Sequence, residues 1–238
     1  MEYSITKQEY ERIRTLLYDE SGISLGDTKQ SLVVSRLTKR LRDLQMEDFS
    51  SYYEYVTRDE SGEEFTRMLD LLSTNKTDFF REPKHFDFLR ERILPTLEQD
   101  KRIRIWSSAC STGEEPYTIA MTLHEAVKNP ALWNFQILAS DISTRVLAHA
   151  AKGLYAEERV REVPADIVKR HFLQGRGDSA GLVKVKPHLS AIIKFRRMNL
   201  MDDRFPIKAP LDLIFCRNVM IYFDRQIGRA SCRERVWL

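Results

Sequence analysis

The sequence is poor in the features that mark secreted, membrane-spanning or metal-binding proteins. Its 238 residues include only three cysteines, Cys110, Cys216 and Cys232, at no spacing typical of a metal site. No apolar run approaches the length needed to cross a membrane, and the first residues lack the hydrophobic stretch of a signal peptide. We therefore expect a cytoplasmic protein with reduced thiols, no bound metal and no insertion into a membrane.

An excess of charge of one sign is also missing. The chain has 38 lysines and arginines against 35 aspartates and glutamates, which leaves a net charge of +3. A nucleic-acid-binding domain would be strongly basic, so we expect no nucleic-acid partner. The hydrophobic share of 42% supports an ordinary core, and the length suits one large domain or two smaller ones.

Residues 102–121 are the stretch around which the rest of the chain is organised. Residues 102–106 alternate polar and apolar side chains, which predicts a strand. Residues 107–113 are small and permit a tight turn close to a ligand, and acids followed by Pro116 then open a helix. A strand, a tight loop and a helix in this order are typical of the first unit of a doubly wound α/β sheet.

The loop in this stretch has little glycine. A dinucleotide-binding loop would carry the pattern G-x-G-x-x-G, whereas this loop has only Gly113, followed by Glu114 and Glu115. Two carboxylates would repel a phosphate but would suit a ligand with an ammonium and a sulfonium group, such as S-adenosylmethionine. The alternative is that each glutamate merely complements the helix dipole.

Asp141 follows a second predicted strand at residues 135–139. An acidic side chain at this position can accept hydrogen bonds from ribose hydroxyls. It could equally cap the helix that follows, and the local sequence leaves both interpretations open. Cys110, in the loop, is a weak candidate nucleophile because no partner histidine is indicated.

The first 75 residues are predicted to form four amphipathic helices, which can bury one another. Capping boxes at Thr6 with Glu9 and at Ser61 with Glu64 mark the starts of the first and fourth helices. The second helix carries a basic face that is either a recognition surface or simply solvated, and it consists of Arg36, Lys39, Arg40 and Arg42.

The remaining segments complete an α/β domain with an insertion. Residues 73–83 are expected to form a linker, and a helix begins near Pro83. Between residues 171 and 195 the alternation of strand and helix stops, and two of three short apolar runs are expected to form an antiparallel hairpin around a glycine-rich turn. Residues 211–216 are predicted to form another buried strand, whose polar end lies at the same edge as Gly113 and Asp141.

Five motifs together resemble the chemotaxis receptor methyltransferases of the CheR type over residues 1 to about 225: STNKTDFFRE, SSACSTGEEPYTIAM, the strand end at Asp141, RRMNLMD and LDLIFCRNVMIYFD. The resemblance implies an S-adenosylmethionine-dependent protein-glutamate O-methyltransferase. Such an enzyme methylates glutamate side-chain carboxylates of membrane chemoreceptors, the methyl-accepting chemotaxis proteins, and yields glutamate methyl esters and S-adenosylhomocysteine.

The implied fold is a Rossmann-like α/β methyltransferase domain with a small inserted antiparallel β subdomain, preceded by an all-helical N-terminal domain. The expected boundaries are a helical domain at 1–75, a linker and connecting helix at 76–98, a methyltransferase domain at 99–226, and a β subdomain at about 170–195. The sequence after residue 226, IGRASCRERVWL, departs from the family. We therefore expect 227–238 to be a non-native tail and the methyltransferase domain to be incomplete.

The resemblance also implies functional residues. The family's cofactor contacts, matched residue by residue, fall on Asn75, Thr77, Arg81, Glu115, Asp141, Asn199, Leu200, Arg217 and Asn218. From charge and position, Arg81 is expected to pair with the methionyl carboxylate, Glu115 with the amino group, Asp141 with ribose and Asn199 with the adenine edge. No catalytic acid or base is expected, because a glutamate substrate is already ionised at neutral pH.

Receptors are expected to contact two surfaces. The basic face of the second helix would lie against the acidic cytoplasmic methylation helices, and the hairpin would offer a strand edge to a C-terminal tail peptide. Two alternative functions stay open: a non-catalytic S-adenosylmethionine-binding receptor-interaction module, or a methyltransferase that acts on another substrate.

Overall fold

The computed structural model describes residues 3–73, 76–207 and 210–220. The chain divides into two compact units. The described residues of the first unit are 3–73, 199–203 and 218–220, and those of the second are 76–198, 204–207 and 210–217. Asn75 and the tail at 227–238, both singled out above, lie outside the described residues.

Four amphipathic helices form most of the first unit, as predicted. They are α1 (Lys7–Ser21), α2 (Gln30–Asp43), α3 (Phe49–Arg58) and α4 (Glu63–Leu72). Apolar side chains at helical spacing fall on one face of each helix and form the core of this unit. The buried members are Tyr10, Ile13, Leu17, Val33, Leu37, Leu41, Phe49, Tyr52, Val56, Met68, Leu69 and Leu72.

The capping box predicted for α1 is confirmed, whereas the one predicted for α4 is wrong. Thr6 Oγ1 accepts the Glu9 N–H at 3.2 Å, and the Glu9 carboxylate accepts the Thr6 N–H at 2.8 Å. At α4, Gly62 occupies the N-cap position, and the Glu64 N–H donates to Asp59 at 2.7 Å. Glu64 does not reach back to Ser61, because its carboxylate is buried against α2.

The segment after the linker is helical but irregular. It runs from α5 (Lys84–Phe88) into a π-helical turn, Leu89–Ile93, and then a 3-10 turn, Leu94–Leu97. The Leu94 N–H donates to the carbonyl of Leu89, five residues earlier. Pro95 has no N–H to continue an α-helix and lies inside the 3-10 turn, which agrees with the prediction that this proline bends or ends the helix.

The second unit contains a four-stranded parallel sheet in the order β6-β2-β1-β7. Its strands are β1 (Arg102–Ser107), β2 (Asn134–Asp141), β6 (Ile193–Arg197) and β7 (Leu213–Phe215). At the centre Ile105 lies opposite Ile137 on one side and Leu213 on the other. Because all four strands are parallel, their carboxyl ends meet at one edge, which we call the carboxyl edge.

Two connections on this sheet contain the helices expected for a doubly wound fold. Helix α6 (Glu114–Ala126) follows β1, and α7 (Thr144–Lys152) follows β2. Gly153 has a φ of 58° and ends α7. The expected α/β class is therefore confirmed for the second unit, and the first unit is helical, as expected.

A small antiparallel sheet is inserted, but its membership differs from the prediction. Its strands, in the order β3-β5-β4, are β3 (Leu154–Ala156), β4 (Phe172–Gln174) and β5 (Leu182–Val185). The predicted hairpin is confirmed, since β4 and β5 pair antiparallel. The span 170–195 is corrected at both ends: β3 belongs to this sheet, whereas β6 pairs parallel with β2 in the main sheet. Two short helices flank the hairpin strands, namely α8 (Ala165–His171) and α9 (Pro187–Ser190).

Candidate functional site at the carboxyl edge

The loop between β1 and α6 is tied to the ends of the neighbouring strands. Its Ser108 N–H donates to the carbonyl of Phe215 at 2.9 Å, and its Cys110 N–H to that of Ser140 at 2.8 Å. Gly113 has a φ of 98°, and a Cβ there would lie 2.8 Å from the Ala150 Cβ. Only glycine fits this position, so the single glycine of the loop is explained by local geometry.

Glu115, in the first turn of α6, is a carboxylate held inside this edge. Its side chain is 11% exposed, and it accepts the Ser107 hydroxyl at 2.7 Å and the Arg217 Nη1–H at 3.1 Å. Burial raises the pKa of Glu115 to about 7, although Ser107 and Arg217 act in the opposite direction. The cost of burying the charged carboxylate therefore outweighs its contacts with Ser107 and Arg217.

Arg217 follows β7 and connects Glu115 to the linker. Its Nη2 lies 3.1 Å from a Glu82 oxygen and also donates to the carbonyl of Arg81. The guanidinium carbon lies 5.2 Å from the centre of the Phe86 ring, a favourable cation–π distance. The buried Nε–H of Arg217 has no hydrogen-bond partner within the described part of the chain.

Asp141 lies at the end of β2, as predicted, and is buried. One of its oxygens accepts the Ser111 N–H at 2.8 Å, and the other accepts the Ser143 N–H at 3.0 Å. The N-cap of α7 is Ser143, whose hydroxyl accepts the Val146 N–H. Asp141 therefore does not occupy the N-cap position, and it orients the β1–α6 loop from the neighbouring strand.

The linker is held against the same edge. Thr77 and Arg81 are half-buried, and Arg81 Nη1 donates back to the carbonyl of Lys76 at 2.9 Å. Phe80 and Glu82 have φ values of 54° and 56°. Such left-handed backbone costs a non-glycine residue roughly 1–2 kcal/mol, and it persists where the surroundings enforce it, as at functional sites.

The comparison with known proteins identifies the family to which this arrangement belongs. The CheR methyltransferase SAM-binding domain matches residues 75–234, and the CheR methyltransferase all-alpha domain matches residues 8–73. The chain belongs to the CheR methyltransferase family. Its two expected parts, the all-alpha domain and the S-adenosylmethionine-binding domain, are thereby confirmed.

Curated relatives cover nearly the whole chain. Chemotaxis protein methyltransferase 2 of Pseudomonas aeruginosa is 44% identical over 226 residues, which span 94% of this chain and 79% of the relative. The chemotaxis protein methyltransferase of Borreliella burgdorferi is 41% identical, over 94% of this chain and 80% of the relative. That of Escherichia coli is 38% identical, over 98% of this chain and 80% of the relative. The protein is thus an S-adenosylmethionine-dependent methyltransferase of chemotaxis.

The residues at the carboxyl edge fit the CheR cofactor. S-Adenosylmethionine carries an ammonium, a sulfonium, a ribose diol and a carboxylate. The raised pKa of Glu115 indicates a carboxylate that a cationic group would stabilise. The unpartnered Nε–H of Arg217 is a buried donor that an acceptor oxygen of a ligand could satisfy. Both observations suit a ligand of this mixed charge.

The predicted cofactor contacts divide between the two units. Thr77, Arg81, Glu115, Asp141 and Arg217 belong to the second unit, which brings them to the linker and carboxyl edge, whereas Asn199, Leu200 and Asn218 group with the first. Asn199 donates to the carbonyl of Glu20 at 2.6 Å and accepts the Met201 N–H at 3.0 Å. A cofactor role for each of these residues stays a prediction.

Two residues of the predicted basic face have roles inside the helical unit. Arg40 Nε donates to a Glu64 oxygen at 2.8 Å, and Tyr52 donates to the same carboxylate at 3.0 Å. Arg36 donates to the last carbonyls of α4, at Leu72 (2.8 Å) and Ser73 (2.9 Å). The interpretation of all four basic residues as one free surface is therefore corrected.

The other two residues of this face, Lys39 and Arg42, are exposed. A role of these two residues in substrate recognition stays a prediction. None of the helices in the described ranges is both long enough and apolar enough to span a membrane.

Sequence reasoning missed Arg159 as a partner of the first turn of α6. The sequence suggests Glu114 as a helix-dipole or ligand acid, and in the structure its side chain is 1% exposed and pairs with Arg159 Nη2 at 2.6 Å. No local pattern marked Arg159, which is 45 residues away in sequence. Cys110, in contrast, is fully buried, and burial raises its thiol pKa, so it is not an activated nucleophile.

Proposed function

We propose that this protein transfers the methyl group of S-adenosylmethionine to glutamate side-chain carboxylates of chemoreceptors, with glutamate methyl esters as products. The observation that carries the proposal is the state of the ionisable groups around the loop. Glu114 is paired with Arg159, Glu115 with Arg217, and Asp141 accepts two backbone N–H groups. Each of these carboxylates is held by contacts within the protein. This arrangement suits a methyl acceptor that needs no general base.

A glutamate acceptor fulfils that condition. Its unperturbed pKa is about 4.3, so the carboxylate is already ionised at neutral pH. The bound cofactor supplies an electrophilic methyl group on a sulfonium, and the transfer breaks the sulfur–carbon bond and forms an oxygen–carbon bond without moving a proton. The chain's own residues then have to bind, orient and exclude water, which can contribute about 7–11 kcal/mol.

Two surfaces support receptors as the substrate. Lys39 and Arg42 project from α2 as exposed cations, which would attract acidic methylation helices. In the small sheet β4 is an edge strand, and its Leu173 is 50% exposed. An edge of this kind can accept an extended receptor tail peptide as an added strand.

The test is transfer of labelled methyl groups to receptor-containing membranes. We expect label on the receptors that is released as methanol by mild alkali, as methyl esters are. Receptors with glutamine at the methylation sites serve as the control and should stay unlabelled. Alkali-stable label, or label on small molecules or nucleic acid, would contradict the proposal. Cofactor binding without any transfer would indicate the non-catalytic binding module instead.

A further inference from the structure

Arg159 joins three parts of the second unit. It lies in a 3-10 turn, Glu157–Val160, directly after β3 of the inserted sheet. Its Nη1 donates to Asp78 Oδ1 at 2.9 Å, and its Nη2 donates to Glu114 Oε1 at 2.6 Å and also to the carbonyl of Thr77. One guanidinium from the insertion thus connects the linker to the first turn of α6.

The contact with Glu114 has a structural explanation of its own. The Glu114 side chain is 1% exposed, and its second oxygen accepts the Thr112 hydroxyl at 2.6 Å. A carboxylate this deeply buried needs a counter-charge, and removing that charge is strongly destabilising. Neutralising Glu114 accounts for one of the three contacts.

The two linker contacts need a different explanation. Asp78 is 47% exposed, and an ion pair with so exposed a carboxylate adds little stability. Both contacts fall on the linker near Thr77 and Arg81, two of the predicted cofactor residues. The linker is also held to α6 by the Phe80 N–H, which donates to Thr118 Oγ1 at 3.1 Å. The contacts at Thr77 and Phe80 hold backbone atoms of the linker in place, which is what a binding segment needs.

The inserted sheet holds the loop as well as the linker. Tyr155 of β3 donates its hydroxyl to the carbonyl of Thr112 at 2.7 Å. Its ring lies 5.1 Å from that of Phe79 in an edge-to-face arrangement. Tyr155 and Arg159 are four residues apart, so one short segment of the insertion contacts both walls of the candidate site.

We propose that Arg159 is a positioning residue for methyl transfer: its guanidinium fixes linker residues 77–81 against the start of α6 and thereby sets the affinity for the cofactor. The proposal rests on the proposed function, because it takes the linker to be part of the cofactor site. A planar guanidinium presents several N–H donors in a fixed fork and here serves three acceptors, whereas a lysine ammonium is a point charge and cannot reproduce this fork.

The experiment compares binding of S-adenosylhomocysteine with thermal stability in matched variants of the full chain. Arg159→Gln should lower both, because it also leaves Glu114 buried without a counter-charge. In the double variant Glu114→Gln with Arg159→Gln that charge is gone, so the melting temperature should recover. Affinity should stay about tenfold below that of the parent, because the linker is still released. A purely structural role would restore both properties.

Two further variants sharpen the result. Arg159→Lys keeps a positive charge beside Glu114, and we expect it to fold, to lose cofactor affinity to a similar extent, and to raise the KM for S-adenosylmethionine while the KM for receptor is unchanged. Arg161→Gln removes the same charge from an exposed position two residues along the chain and should bind like the parent.

The experiment distinguishes failure of the positioning role from failure of the cofactor site. A double variant or an Arg159→Lys variant that binds as tightly as the parent would overturn the positioning role, as would an equal loss in Arg161→Gln. A parent chain that fails to bind S-adenosylhomocysteine would overturn the cofactor site itself, and with it this proposal. Binding by the parent with a persistent loss in the double variant supports both.

Discussion

At the scale of single residues, Glu115 is a predicted cofactor contact whose burial costs stability. Burial raises its pKa from 4.5 to about 7. Between these two pH values the folded protein holds a proton that the unfolded chain has released. Linkage then requires that this group's contribution to the free energy of unfolding decreases as the pH rises through that window. Above pH 7 the folded protein carries an ionised carboxylate that its buried surroundings disfavour.

We predict opposite effects of Glu115→Gln on stability and on binding. At pH 8 the variant should melt at a higher temperature than the parent, because no buried charge has to form. Its affinity for S-adenosylhomocysteine should fall by about 1.5–3 kcal/mol, the range for a hydrogen bond to a charged group.

The pH dependence of binding separates the loss of the Glu115 charge from a simple repacking of the side chain. Parent affinity should rise from pH 6 to pH 8, since only ionised Glu115 pairs with an ammonium, and the Gln variant should lack this component. Calorimetry at both pH values measures the affinity of the parent and of the variant. Equal pH profiles for parent and variant would show that Glu115 does not contact the amino group.

At the scale of helices, the first unit shows that a basic face can be part of the fold. Arg40 and Glu64 have side chains that are 15% and 7% exposed, and Tyr52 completes the group. Arg36 satisfies carbonyls at the end of α4, where a helix leaves acceptors unpaired. Charge reversal at Arg36 or Arg40 would disturb the fold, so receptor recognition has to be tested at Lys39 and Arg42.

We predict that Arg40→Ala lowers the free energy of unfolding by about 3–5 kcal/mol, because it leaves the Glu64 carboxylate buried without its partner. Lys39→Ala, on the same helix but exposed, should change it by less than about 0.5 kcal/mol. Urea denaturation of the two variants measures both values. Similar small effects would mean that water reaches Glu64 and that the pair contributes little.

At the scale of the whole molecule, the chain consists of two units, each with its own core. A ligand that binds only the folded state stabilises the parts of the structure that it contacts or that open together with them. Ligand binding should therefore stabilise some segments of the chain more than others.

Hydrogen exchange should show which segments the ligand stabilises. We predict that S-adenosylhomocysteine slows exchange in residues 76–82, 108–113 and 141–143, and leaves α3 (Phe49–Arg58) unchanged. Adenosine, which lacks the amino-acid part, should protect 141–143 but not 76–82, because Arg81 and Glu115 are assigned to the methionyl end. Equal protection of α3 and the loop by either ligand would contradict this assignment of the site.

The sequence by itself determined most element types, because each depends on side chains close together in the chain. Helical spacing predicts the four helices, alternation predicts β1, and the Thr6–Glu9 pair predicts the start of α1. The family motifs also indicated S-adenosylmethionine, since several short segments carry the resemblance independently.

Only the tertiary structure decided which distant side chains meet. Glu64 pairs with Arg40 rather than capping α4, because burial against α2 outweighs a local hydrogen bond. Arg159 reaches Glu114 across 45 residues, and β3 has three residues, too few to display a period. Local patterns cover about one helical turn or a few strand residues, whereas these contacts exist only once the chain has folded.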